Sequence, residues 1–119
     1  MTLVTDAVGA YGERVAARFL AAAGMELLDR NWRCRLGELD LVARDGRVIV
    51  FCEVKTRRST SFGTAAEAVT PAKLRRLRSL AAAWLAEHPT ARGSIRFDVV
   101  CVSPQSSGPA RVEHIVGVS

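Results

Sequence analysis

Gly37-Glu38-Leu39-Asp40-Leu41-Val42-Ala43-Arg44-Asp45-Gly46-Arg47-Val48-Ile49-Val50-Phe51-Cys52-Glu53-Val54-Lys55 decides the reading of this chain. Asp45-Gly46 between two runs rich in β-branched and apolar residues is among the strongest short signals for a hairpin. A two-residue turn there sets Arg44 opposite Arg47, Val42 opposite Ile49, Asp40 opposite Phe51 and Glu38 opposite Glu53. Side chains alternate along a strand, so Glu38 and Asp40 share a face, and Glu53 and Lys55 share it with them. Opposed residues have Cβ atoms about 5 Å apart, and like charges so placed destabilise a sheet unless something compensates them. A divalent cation together with Lys55 would do so, which is the chemistry of a metal-dependent hydrolase.

Working outward, Val48, Val50, Cys52 and Val54 fall on one side of the second hairpin strand, and Ile49 and Phe51 on the other with Glu53 and Lys55. Apolar residues on both faces predict a central, covered strand. Upstream, Met25 to Cys34 reads as a strand containing Leu27, Leu28 and Trp32, and Arg35-Leu36-Gly37 turns it into the hairpin. Before that, Val8, Tyr11, Val15, Phe19 and Ala22 recur at helical spacing, with Thr5 or Asp6 as the cap and Gly24 as the stop. Glu13 lies at the flank of that stripe.

Downstream, Arg57 to Thr64 is a polar loop. Thr70-Pro71 then reads as a helix N-cap and first position. Leu74, Leu77, Ala81 and Trp84 form the buried stripe of a helix that ends before Pro89. Ile95 to Val102 is a further strand, in which Asp98 can pair with Arg96, and Arg111 to Val118 closes a final hairpin. Neither His88 nor His114 has a partner visible in the sequence. The predicted fold class is α/β, a mixed central β-sheet flanked by helices.

Length and composition narrow the function classes. A chain of 119 residues predicts one domain, spanning 1–119, and 49% hydrophobic residues exclude a disordered chain. No apolar run approaches the roughly 20 residues of a membrane span, and no basic region followed by an apolar one marks a signal peptide. Cys34, Cys52 and Cys101 are odd in number and widely spaced, with no CxxC pair. That reads as reduced thiols in a cytoplasmic protein rather than a disulfide framework or zinc site. The net charge of +5 favours a polyanionic partner, and, with no apolar span, no membrane partner is expected. Of the 17 basic residues only Lys55 and Lys73 are lysine. A compact, titratable ammonium two residues after Glu53 therefore invites a chemical reason.

The order helix–β–β–β–helix–β, with a glutamate in the first helix, an aspartate on the second strand and Glu-x-Lys on the third, resembles the PD-(D/E)xK nuclease superfamily. Its layout is similar to that of archaeal Holliday-junction resolvases. The closer resemblance is to the YraN-like family of small bacterial proteins. It rests on Gly12-Glu13, Arg30-Asn31-Trp32-Arg33, Gly37-Glu38-Leu39-Asp40-Leu41-Val42, Phe51-Cys52-Glu53-Val54-Lys55-Thr56-Arg57, the Lys73-Leu74-Arg75-Arg76-Leu77 helix and Arg96-Phe97-Asp98-Val99-Val100. Leu39 stands before Asp40, where the superfamily name has proline.

The resemblance implies a restriction-endonuclease-like fold with an αβββαβ core. It also implies Mg²⁺-dependent endonuclease cleavage of DNA phosphodiesters, with branched or damaged DNA among the substrates; Mn²⁺ can replace Mg²⁺. On that reading Asp40 and Glu53 are metal ligands, with the Val54 carbonyl as a third donor. Lys55 orients the attacking water or stabilises the phosphate, and Glu13 and Glu38 complete the catalytic set. Arg33, Arg35, Arg57, Arg58, Arg75, Arg76 and Arg78 are the nucleic-acid contacts, for DNA ahead of RNA. A homodimer is left open. Two other classes remain: a non-catalytic nucleic-acid-binding module of the same fold, and a protein–protein adaptor. Metal-independent, salt-sensitive binding would mark the first, and an apolar surface patch the second.

Overall fold

Glycine sets the register of the central hairpin. In the computed structural model, which describes residues 3–57 and 69–118, strands β2 (Gly37–Asp45) and β3 (Val48–Thr56) are joined by the two-residue loop Gly46-Arg47. Asp45 pairs with Val48, Ala43 with Val50 and Leu41 with Cys52. The turn is therefore displaced by one residue from Asp45-Gly46, and the pairing of Arg44 with Arg47 is replaced by Arg44 with Ile49. An Asp-Gly turn would ask Asp45 as well as Gly46 for positive φ, whereas a Gly-Arg loop confines that demand to Gly46, at φ 62°. The partners slip by two residues, an even number, so the side chains of the paired stretch from Leu41 to Cys52 keep their predicted faces. Counted on, this register brings Asp40 towards Glu53 instead of Phe51.

The sheet has five strands in the order β1-β2-β3-β4-β5, with β1 Glu26–Cys34, β4 Ser94–Ser103 and β5 Arg111–Ile115. β3 runs parallel to β4 and the remaining neighbours are antiparallel, so the sheet is mixed. Helix α1 (Leu3–Ala22) packs on one face and α2 (Pro71–Glu87), the crossover between the parallel strands, on the other. β3 is the covered central strand: Val50 and Cys52 lie under α1, and Ile49 and Phe51 lie under Leu77, Leu80 and Trp84 of α2.

Both helices follow capping chemistry, with one correction. The Thr70 hydroxyl accepts from the Lys73 N–H at 3.1 Å and Pro71 opens α2, as the sequence predicts. α1 closes through bonds from Gly24 N–H to the Ala21 carbonyl and Met25 N–H to the Leu20 carbonyl, with Gly24 at φ 96°. That is the pattern of a helix stopped by a left-handed glycine. Thr5 and Asp6, expected to cap α1, lie within it, since it already runs from Leu3.

The buried stripe of α1 also differs from prediction. Gly12, Ala16, Ala17 and Leu20 face the sheet, while Phe19 and Ala22 are exposed and Val8, Tyr11 and Val15 flank the contact. The periodicity singled out the large residues, but close approach selects the small ones. A Cβ on Gly12 would overlap the side chain of Thr56 at the end of β3. The three cysteines are free thiols, Cys52 and Cys101 buried and Cys34 half-buried. Among the described residues no helix is long and apolar enough to cross a membrane.

Candidate metal centre and its surroundings

The carboxylates gather where β2 parts from β3. The paired ladder between them reaches Leu41 and Cys52, whereas β3 continues beside β4 to Thr56 and Val102. In the fork, the Val54 N–H donates to Oδ2 of Asp40 at 2.8 Å, so a side chain takes the place of a strand carbonyl. Strand alternation also breaks here: Leu39 and Val42, three positions apart, both pack under α2. Opposite Asp40 on β1, Asn31 is the one described non-glycine residue with positive φ, at 51°. Its pairing position is skipped between Arg30 with Leu41 and Trp32 with Leu39, and its side chain bonds Glu13 of α1. Asparagine tolerates this left-handed geometry better than most residues.

These departures bring one oxygen each of Glu13, Glu38 and Asp40 within 4.8 Å of one another. Two oxygens on one Mg²⁺ are at most about 4.2 Å apart, twice its usual bond length, so slight side-chain movement suffices to close the set. The residues fit a small, hard cation: three carboxylates, all half-buried, with Arg33, on Glu38, as their one ion-pair partner among the described residues. Burial, followed by Glu13, Glu53 and Glu38, pushes Asp40 from its ordinary 3.8 to about 6 against the lowering effect of the Val54 N–H. Burial and then Glu38 also raise Glu13, while Asn31, Arg30 and Arg33 oppose the rise.

Glu53 stands beside this trio and outside it. It shares a narrow cleft of about 10 Å³ with Glu38, Asp40, Lys73 and Arg76, on the scale of a single water. Asp40 and Glu53 thus face the same cleft. An oxygen of Glu53 lies 3.7 Å from the Arg76 guanidinium. The sequence paired Asp40 with Glu53 as ligands; the geometry groups Asp40 more tightly with Glu13 and Glu38. Lys55, on the face of β3 that looks to α2, meets Lys73 from the first turn of α2. The close approach of Lys55, then burial, lowers Lys73 from its ordinary value. The only two lysines of the chain therefore stand together. Sequence reasoning left Lys73 out of the site, although the same lysine count that singled out Lys55 applied to it.

The predicted arginines are scattered. Arg33 bonds Glu38 at the rim through Nε, and Arg76 reaches Glu53. Arg35 is exposed in the β1–β2 turn, and Arg75 and Arg78 are exposed on α2. Arg57 is half-buried, its N–H bonded to the Val102 carbonyl. Arg58 lies outside the described residues, as does most of the Arg57 to Thr64 loop.

The two histidines do have partners. His114 Nε2 lies 2.8 Å from Oδ2 of the fully buried Asp98. Arg96 grips both Asp98 oxygens at 2.9 and 3.0 Å, and the Gly117 N–H donates to Oδ1. Burial alone would raise Asp98, but these three partners hold its carboxyl below the ordinary value. His88 stacks on Trp84, with centroids 3.9 Å apart, and Trp84 Nε1–H donates to Asp29 at 2.9 Å. The bonds of His114 to Asp98 and of Trp84 to Asp29 join residues far apart in sequence, out of reach of motif reading, whereas His88 and Trp84 are one helical turn apart.

A mixed sheet of this order, with helices on both faces and acidic groups at the fork of β2 and β3, is a restriction-endonuclease-like α/β fold with a candidate cation site. The profile described as "Uncharacterised protein family UPF0102" matches residues 12–102. A UPF0102 protein of Frankia casuarinae is 65% identical over 112 residues, covering 94% of this chain and 95% of its own. One from Kineococcus radiotolerans is 64% identical over 115 residues, covering 96% and 94%. One from Mycolicibacterium vanbaalenii is 51% identical over 112 residues, covering 94% and 93%. The chain belongs to the UPF0102 family, the YraN-like group that its motifs resemble.

Proposed function

We propose that this protein is a divalent-metal-dependent endonuclease acting on DNA phosphodiester bonds, with Mg²⁺ as the cation. The convergence of Glu13, Glu38 and Asp40 carries this reading. Like charges are gathered where β2 parts from β3, at a cost to Asp40, which burial and its neighbours push up to about 6. These three would hold the ion, with Glu53 beside them on the α2 side. A bound divalent cation supplies charge neutralisation for a phosphate and a lower pKa for a coordinated water.

The remaining steps belong to the chain's own groups. Lys55 and Lys73 present six N–H donors to the non-bridging oxygens of a phosphate and stabilise the charge that grows as water adds to phosphorus. The bond to the departing sugar oxygen breaks, and that oxygen takes a proton from solvent or an ammonium. Arg76 holds Glu53, which fixes the wall of the cleft behind Lys73. Arg33 and Arg35, at the rim, add positive charge where a backbone would enter.

The test is a panel of flaps, four-way junctions, single strands, duplexes and RNA incubated with Mg²⁺ or Mn²⁺. Cleavage of a DNA structure by the parent, abolished by Lys55→Ala and Asp40→Asn in folded protein, is the expected result. Equal cleavage by Asp40→Asn and parent refutes the assignment.

A further inference from the structure

We infer that the groove between α1 and β1, lined by Arg14, Arg18 and Arg30, is a binding track for a nucleic-acid phosphate backbone. The inference rests on the endonuclease reading and adds where the strand runs. The groove encloses about 460 Å³, with Ala17, Ala21 and Leu27 contributing the rest of its lining. Arg14 and Arg18 are four residues apart on one helix, so they stand side by side about 6 Å apart along the axis. Arg30 meets them from β1 across the groove. All three are exposed, and among the described residues none forms an ion pair, whereas Arg33, Arg76 and Arg96 each do. Three guanidinium groups around one concavity, with no carboxylate lining it, repel one another and attract a polyanion.

The groove is contiguous with the acidic trio. Arg14 follows Glu13 on α1, and Arg30 precedes Asn31, whose side chain bonds Glu13. Arg30 and Arg33 both act electrostatically on Glu13. A strand whose scissile phosphate sits at the trio would thus lay its next phosphates along Arg30, Arg14 and Arg18. A repeating phosphate chain suits this row better than an acidic peptide, because small alanines leave the groove open and planar guanidinium forks match phosphate oxygens.

Binding in EDTA separates this inference from cleavage. Fluorescence anisotropy with a labelled single strand and a labelled duplex is measured from 50 to 200 mM salt. The proteins are the parent, Arg14→Ala/Arg18→Ala/Arg30→Ala, and a charge-matched control, Arg47→Ala/Arg92→Ala/Arg111→Ala, whose residues are exposed elsewhere. Each phosphate contact contributes a slope of about −0.7 to −0.9 in log K against log salt. The groove triple should flatten the slope by about 2 to 3 and weaken binding about tenfold or more, while the control changes it about twofold.

Should the triple variant lose its far-UV spectrum, the helix-surface pair Arg14→Gln/Arg18→Gln is read instead, with a slope change of about 1.5. Equal losses in groove variant and control overturn the track. So does unchanged binding in the groove variant, which leaves the acidic site standing if the parent cleaves. Tighter binding to poly-glutamate than to either DNA overturns it in favour of an acidic protein partner. No binding by the parent in EDTA overturns the track and leaves the nuclease reading to the cleavage panel.

Discussion

Replacing Asp40 by asparagine deletes a charge that the fold resists while keeping an oxygen to accept the Val54 N–H. Burial and three neighbouring glutamates raise Asp40 from its ordinary 3.8 to about 6. At 1.36 kcal/mol per pKa unit, ionising it in the folded state costs about 3 kcal/mol more than in the unfolded chain. The sign follows from proton binding. Because the folded state holds the proton more tightly, stability from this group is fully present below pH 3.8 and is lost as pH rises through 6. Asp40→Asn should therefore be more stable than the parent by about 2–3 kcal/mol at pH 8, and by under about 1 kcal/mol at pH 4.

Urea unfolding followed by the fluorescence of buried Trp84 reads both values. A cation held by the trio narrows this gap by about half. At ten times its dissociation constant it adds about 1.4 kcal/mol to the parent and nothing to the variant. If Asp40→Asn is destabilised equally at pH 4 and pH 8, or if Mg²⁺ stabilises variant and parent alike, the carboxylate is not strained and the trio is not a cation site.

Other substitutions probe the frame around the site. Gly12→Ala should destabilise by about 1–3 kcal/mol through the overlap with Thr56. Gly9→Ala meets nothing and should stabilise by up to about 1 kcal/mol through helix propensity. Thermal melts of the pair test this, and a stabilising Gly12→Ala would contradict the tight α1–β3 approach. Asp98→Ala leaves Arg96 without its buried partner and should cost about 3–5 kcal/mol in urea, against under about 1 kcal/mol if the network were ornamental. Asp98 sits below its ordinary value, so its contribution is present above pH 3.8 and is lost as pH falls. With Asp40 acting in the opposite sense, these two groups together predict greatest stability near pH 4, falling as pH rises towards 6 and as it drops below 3.8, checked by a pH series of urea midpoints.

By itself the sequence determined the element order, the covered central strand and the face of every β3 side chain, because the two-residue period and a glycine-bearing turn are local facts. It also singled out Glu38, Asp40 and Glu53, since acids within strands are costly wherever they fall, and Lys55 through the scarcity of lysine, while Glu13 entered through the family resemblance. It could not rank them. The close association of Glu13 with Glu38 and Asp40 depends on how α1 seats Gly12 against Thr56 and on a left-handed Asn31, and neither leaves a periodic trace. The contact of Lys73 with Lys55, the grip of Arg96 and His114 on Asp98, and the row of Arg14, Arg18 and Arg30 each join separate elements across the packed layers. Such neighbours are set by packing, where the smallness of a glycine or alanine decides how closely two elements approach.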